Sequence, residues 1–337
     1  MGLKYKNLIH LVVDDDNLRQ AYKQARKNKR YKKDVLIFKE RLEYNLQQIK
    51  REILEETYKV GDYKNFTIYH PKERKISALP FKDRVVQHAL CNIIEPLFDK
   101  YMFSCSYACR KGKGTHRCMM KAREIIRAVP KNKPLFFLKM DFRKFFPSID
   151  RTILYEEINR KIKDKHILWL LNQIIPPSGT GLPIGNLTSQ LFANVYGTIF
   201  DRYVKQFLRV KHYVRYMDDT VIFSNDKSYL KILLREISEF VKNKLCLQFS
   251  KWYIENINRG LNFVGYRMFR THTLIRKSSV IRCKRKIQTY LYTENYAQLH
   301  KSLISWYGHI KWANAHNLKQ YIERKINLWQ YNYPHKL

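Results

Sequence analysis

Apolar positions along the chain fall into runs of two distinct periods. Residues 17–31 place Leu18, Ala21, Tyr22 and Ala25 at i, i+3, i+4 and i+7, the stripe of an amphipathic helix, with Asp16 or Asn17 as its N-cap. Phe38, Leu42, Leu46, Ile49 and Ile53 repeat that stripe and predict one helix over 35–57. The stretch "KVGDYKNFTIYHPKERKISALPFKDR" reads as short strands and turns, and 84–98 reads as helix. In "LFFLKMDFRKFFPSID", 135–150, the period drops to two. Phe136, Leu138 and Met140 share one face of a predicted strand, and Phe137, Lys139 and Asp141 share the other. Pro147 ends that element, and Asp150 caps the helix "RTILYEEINRKI". A Gly/Pro-containing loop then runs into a helix across 181–208. A hairpin follows at "VRYMDDTVIF", then an amphipathic helix "LKILLREISEFVKNKL" and a strand "LNFVGYRMF". From about 275 the chain is basic, aromatic and helical. The middle therefore alternates strand, helix, strand pair, helix, strand, an order that suits an α+β split βαβ sheet with helices on one side.

Charge narrows the class. Lys and Arg number 65 against 29 Asp and Glu, a net +36 spread along all 337 residues. Self-repulsion on that scale is unfavourable without a polyanion, so the expected partner is nucleic acid. The 24 tyrosines and 18 phenylalanines supply stacking surfaces beside the cations. No run is long and apolar enough for a membrane span, and the start "MGLKYKNLIHLVVDDDN" has no signal-peptide pattern. A cytoplasmic protein without membrane association, its six cysteines reduced, is expected. Cys105, Cys109, His116 and Cys118 stand close in sequence, but their spacing matches no common zinc finger, so zinc and isolated thiols both stay open.

Against that basic background the paired acids at 218–219 stand out. Neighbouring strand residues point to opposite faces, so Asp218 and Asp219 converge only if a turn intervenes. Adjacent carboxylates also repel unless protonated, hydrogen-bonded or bound to a cation. If the strand bearing Asp141 lies beside the hairpin, Asp141 and Asp218 can share two Mg²⁺ ions, with Mn²⁺ as a substitute. Such a pair activates an attacking hydroxyl and stabilises a leaving pyrophosphate. A simple Asp-containing turn is the plainer alternative. The acidic run at 14–16 precedes a helix and reads as a cap.

At these residues the chain resembles reverse transcriptases. "YMDD" on a hairpin is similar to their signature, and "KMDFRKFF" resembles the strand bearing their first metal-binding Asp. Further blocks, "ISALPFKDRVVQHALCNIIEPLF", "SYACRKGKGTHRC", "GLPIGNLTSQ" and "LISWYGHIKWANAHNLKQY", resemble one subgroup in the same order, the reverse transcriptases of diversity-generating retroelements. That subgroup carries an aliphatic residue where retroviral and intron enzymes carry Gln; here it is Ile184, followed by Ser189–Gln190. Gly197–Thr198 depart from the subgroup's frequent Leu-Asn pair, and Cys118 stands where a small apolar residue is common.

The resemblance implies a right-hand polymerase: an N-terminal helical region and start of fingers over 1–75, fingers and an RRM-like palm over 76–270, and a basic helical thumb over 271–337. It assigns metal binding and catalysis to Asp141, Asp218 and Asp219. It places Arg74 on the incoming triphosphate and Lys251 near the leaving pyrophosphate. Phe146 becomes the aromatic gate against a ribose 2′-hydroxyl, and Ile184, Gly185 and Gln190 line the nascent base pair. Tyr216, Met217, Gly265 and Tyr266 are assigned to primer and template, with Gly265 permitting close approach. The implied partners are a template-repeat RNA, the cDNA or primer strand, dNTPs and a small basic accessory variability protein, in a bacterial or phage-infected cell. The implied activity is error-prone, adenine-mutagenised cDNA synthesis for mutagenic retrohoming. The chain also ends soon after the thumb, without the extra domains of intron or retroviral enzymes. The rivals are an intron, retron or phage-defence reverse transcriptase, and a non-catalytic RNA-binding protein of polymerase fold.

Overall fold

The computed structural model describes residues 4–69 and 73–332; residues 1–3 and 70–72 and the last residues of the expected thumb, 333–337, lie outside the described residues. The N-terminal part is helical: α1 (Ile9–Val12), α2 (Asp15–Ala25), α3 (Lys33–Glu40) and α4 (Leu42–Leu54). The acidic run acts as a cap, as expected, but the capping residue is Asp14, whose carboxylate accepts from the Asp16 and Asn17 amides. The helix expected over 35–57 is two helices. Arg41 leaves the helical region at φ −122°, ψ 47°, and Asn45 Nδ2 donates to the freed Phe38 carbonyl at 2.9 Å. A hairpin follows, β1 (Lys64–Ile68) and β2 (Arg74–Ala78), and then the long α5 (Phe81–Asp99), buried through Val85, Val86, Ala89, Leu90 and Ile94. The next helix is α6 (Thr115–Ala128), which the hydrophobic pattern did not announce.

The central sheet is built from β3 (Phe136–Phe142), β4 (Tyr213–Tyr216), β5 (Asp219–Ser224) and β6 (Phe249–Asn256), in the order β4-β5-β3-β6, all antiparallel. Between β3 and β4 lie α7 (Phe145–Ser148), α8 (Arg151–Asn159), α9 (Lys165–Ile174) and α10 (Leu187–Arg202), the last continued by a π-turn over Tyr203–Phe207. Between β5 and β6 lies α11 (Lys227–Leu245). Helices, a strand pair and a helix intervene in sequence between the adjacent strands β3 and β6 of one antiparallel sheet, the split βαβ palm that the pattern predicts. Leu138, Met140, Phe142, Tyr213 and Ile222 pack into the main core with α8, α10 and α11. The opposite face, through Phe137, Val214, Val221 and Phe223, packs with Met119, Ala122, Ile125 and Ile126 of α6.

The expected strand "LNFVGYRMF" is instead a hairpin, β7 (Leu261–Phe263) and β8 (Tyr266–Met268), joined by β9 (Thr273–Ile275) in a separate three-stranded sheet. Val264 and Gly265 both take positive φ, 44° and 90°, the backbone that closes a two-residue hairpin. The fourth palm strand is β6. The chain ends in α12 (Lys277–Tyr292), α13 (Tyr296–Ile310) and α14 (His316–Asn332), which share a small core of Cys283, Ile287, Leu291, Leu299 and Ile322. Among the described residues no helix is long and apolar enough to cross a membrane.

Candidate active site

The palm sheet gathers the acids by register. Asp141 on β3 stands opposite Asp219, the first residue of β5, and opposite Lys251 on β6. Cross-strand partners share a face. Here it is the face of Phe137 and Lys139, turned toward α6 rather than α10. The ladder shifts register after Asp141, and Ser250 Oγ donates to the Asp141 carboxylate at 3.3 Å. Tyr216 pairs with Asp219, so the turn is the two residues Met217 and Asp218. That answers the geometric problem of the paired acids: Asp219 opens a strand while Asp218 sits in a turn, so face alternation does not apply. Met217 has φ 56°, and the Asp218 carbonyl accepts from the Phe142 amide at 3.2 Å.

One neighbour was not anticipated. Lys139 Nζ lies 2.6 Å from Asp219 Oδ1. It sits two residues before Asp141, hence on the same strand face, and that spacing was the available signal. A quarter of the Asp219 side chain reaches solvent. Desolvation nonetheless pushes its carboxyl up to about 6, Asp141 and Asp218 add to the rise, and Lys139 opposes it. Among the described residues no three His, Cys, Asp or Glu side chains are drawn into a ready-made metal cluster. The donor chemistry still fits a hard divalent cation: three carboxylates near enough for two to raise the third, with oxygen donors only. Asp141, Asp218 and Asp219 would hold it, relieving their mutual repulsion.

The other expected residues divide. Ile184 and Gly185 lie against the hairpin: the Ser77 amide donates to the Ile184 carbonyl at 2.9 Å. Gly185 has φ 124°, and a Cβ there would come within 3.0 Å of the Ser77 carbonyl oxygen, so only glycine fits. Arg74 is exposed at the start of the same β2. The Phe146 carbonyl accepts from the Leu182 amide at 2.8 Å, tying it to the loop that bears Ile184. Of the two aromatics there, Phe145 is the core residue and Phe146 is half-buried, edge-on to it at 6.1 Å. Gln190 is exposed on the first turn of α10, and Lys251 is exposed.

The residues expected at primer and template differ in exposure. Tyr266 is fully buried, with its hydroxyl donating to the His309 carbonyl at 2.9 Å, which ties β8 to α13. The close approach at Gly265 is made by His309, whose ring would lie 3.2 Å from an added Cβ. Met217 is also buried, at 8% exposure. Tyr216 stays half-buried, with its hydroxyl 3.0 Å from Thr115 Oγ1. The zinc option gains no support: Cys105 and Cys118 are buried, Cys109 is exposed, all are free thiols, and His116 stacks on Trp312 at 4.9 Å. Burial lifts the Cys105 thiol to about 12, away from ligation.

Known proteins match this arrangement. The family profile described as reverse transcriptase (RNA-dependent DNA polymerase) matches residues 63–268. The retron Ec73 reverse transcriptase of Escherichia coli is 31% identical over 182 residues, spanning 50% of this chain and 52% of that protein. Protein YkfC of Escherichia coli K12 is 22% identical over 278 residues, 68% of this chain and 72% of its own length. In fold, a Candida tropicalis telomerase solved with a fragment of telomeric RNA superposes with a TM-score of 0.50 at 13% identity, covering 81% of this chain and 58% of that one.

Proposed function

The chain belongs to the reverse transcriptase (RNA-dependent DNA polymerase) family, and on that premise we propose that it copies an RNA template into error-prone cDNA from dNTPs as the polymerase of a diversity-generating retroelement. The observation that carries the reading is Asp141 in register with Asp219, with Asp218 in the adjoining turn. Two divalent cations, when bound, would activate the primer 3′-hydroxyl and neutralise the leaving pyrophosphate. The chain's own groups do the rest. Asp141, Asp218 and Asp219 hold the cations. Arg74 reaches the triphosphate with a guanidinium fork suited to phosphate oxygens. Lys251, directly across from Asp141, meets the departing pyrophosphate. Phe146 excludes a 2′-hydroxyl. The net charge of +36 holds the RNA. The fingers, palm and thumb follow the boundaries 1–75, 76–270 and 271–337.

Ile184 supports the mutagenic part. An aliphatic side chain offers a base pair shape and no hydrogen bond, and lost polar contacts are where strong discrimination comes from. A small basic accessory protein would join through bridging RNA, since two basic surfaces do not attract. The retron relative favours a second reading, accurate cDNA synthesis. Primer extension on an RNA template with Mg²⁺ and dNTPs, with and without an accessory protein, separates the two. Errors concentrated at template adenines support the mutagenic reading, and accurate cDNA supports the retron-like one. Asp218→Ala is expected to abolish extension with RNA binding retained. Loss of RNA binding in that variant would argue against a metal role.

A further inference from the structure

Beneath the Met217–Asp218 turn lies an ion pair that the proposed chemistry does not use. Arg215 on β4 and Asp201 on α10 are both completely buried. The guanidinium grips the carboxylate with two bonds, Nε to Oδ1 at 2.8 Å and Nη2 to Oδ2 at 2.7 Å. Asp201 also accepts from the Tyr213 hydroxyl at 2.7 Å. The remaining nitrogen, Nη1, reaches the Met217 carbonyl at 3.2 Å and lies 3.4 Å from Asn194 Oδ1.

Stability does not explain this pair. Desolvating two charges costs about what their attraction returns, and apolar residues of equal volume often serve a core as well. What apolar residues cannot supply is a donor to the Met217 carbonyl. That carbonyl belongs to the one residue of the turn with positive φ, 56°, a conformation that a non-glycine residue holds only when its surroundings impose it. Two bonds impose it here: Arg215 on the Met217 carbonyl, and the Phe142 amide on the Asp218 carbonyl. The second ties the turn to the strand of Asp141. The first ties it to α10.

Gly197 completes the device. Asn194, Gly197 and Asp201 stand at i, i+3 and i+7, one face of α10. A Cβ on Gly197 would lie 2.5 Å from Arg215 Nη1 and 2.6 Å from Cζ. A methyl group there displaces the guanidinium, because both the helix and the strand are buried. The departure of Gly197 from the subgroup's pattern thus has a physical reason in this chain: it vacates the volume that the Arg215 head fills.

We infer that Arg215, held by Asp201 and admitted by Gly197, is a positioning residue that fixes the Met217 peptide and thereby the direction in which Asp218 projects. The inference rests on the proposed role of Asp218, and its test includes a readout that does not need that role.

The test uses the full chain and the double variant Asp201→Val/Arg215→Met, which roughly keeps the volume and removes both charges. Gly197→Ala is measured alone and in that double background. Primer–template binding and dNTP KM are expected to stay within about threefold, while kcat falls about 100-fold, the effect of a displaced reacting group. Gly197→Ala alone should lower kcat similarly, and in the double background it should cost nothing further. Independently of activity, the chain is labelled with ¹³C-methyl methionine and the Met217 signal assigned by Met217→Leu in both the parent and the double variant, which separates it from the methyl that Arg215→Met adds. One sharp Met217 resonance in the parent and a broadened or doubled one in the double variant is the expected result. A folded double variant with parental kcat and an unchanged Met217 resonance overturns the inference. So does failure of the double variant to fold, which would make the pair a folding element. If the parent extends no primer while the resonance changes as expected, the polymerase reading fails and the positioning device stands.

Discussion

Lys139 Nζ and Asp219 Oδ1 are 2.6 Å apart, diagonal neighbours on two antiparallel strands, with Asp141 two residues along the first strand. A lysine therefore holds one of the carboxylates that the proposed function gives to a cation. The same ammonium both counters the rise of the Asp219 carboxyl and repels an incoming divalent ion. At pH 8, above the value of about 6 for Asp219, the repulsion is the larger influence. Lys139→Met is expected to bind Mn²⁺ about fivefold more tightly, about 1 kcal/mol for one partly screened charge. Titration of the nucleotide-free protein by electron paramagnetic resonance measures it. Weaker binding would mean that Lys139 orients Asp219 more than it competes for it.

Ile184 tests the proposed infidelity. Its backbone is pinned by the Ser77 amide, so a change of side chain leaves the loop in place. Ile184→Gln adds a polar group beside the nascent pair and should lower misincorporation opposite template adenine by about tenfold. Sequencing of cDNA from matched reactions measures this. An unchanged error spectrum would remove shape-only selection as the cause.

His309 joins α13 to β8 and faces His116 of α6. Burial holds its imidazole below the ordinary value, and the facing His116 adds to this, while a bond to the Gly265 backbone opposes it. A depressed histidine favours the folded state when neutral. Its contribution is present above pH 6.5 and is lost as pH falls through the depressed value, because the unfolded chain takes the proton first. The melting temperature of the parent should therefore fall more steeply than that of His309→Gln between pH 7.5 and 5.5. Parallel curves would show that the contact between Tyr266 and His309 does not sense protonation.

What was legible from sequence tracks how cleanly side chains alternate. Strand β3 was visible because its face of Phe136, Leu138, Met140 and Phe142 is apolar throughout, and the hairpin at 213–224 because β-branched and aromatic residues flank its paired acids. Strand β6 was not: it is an edge strand, and its sides are both partly exposed. The β7–β8 turn was hidden by Val264, a β-branched residue at φ 44°, where local preference gives way to tertiary packing. The break at Arg41 carries neither Gly nor Pro. In the candidate site, the carboxylates stood out in sequence through the period-two strand that bears Asp141 and the turn between two β-prone runs that bears the paired acids. The burial of Tyr266 depends on α13, distant in sequence, so no local pattern reports it. Arg215 had a faint signal, a lone charge within an apolar strand.

The thumb helices enclose an interior of their own around Ile287 and Ile322, while Trp306 packs against both that interior and the one shared by α6, the palm and β7–β8. A body with a private core can change its angle without unmaking itself. Trp306 is not the sole fastening: Tyr307, Ile310 and Trp312 reach the second interior beside it, so α13 and the turn after it form the seam between the two interiors.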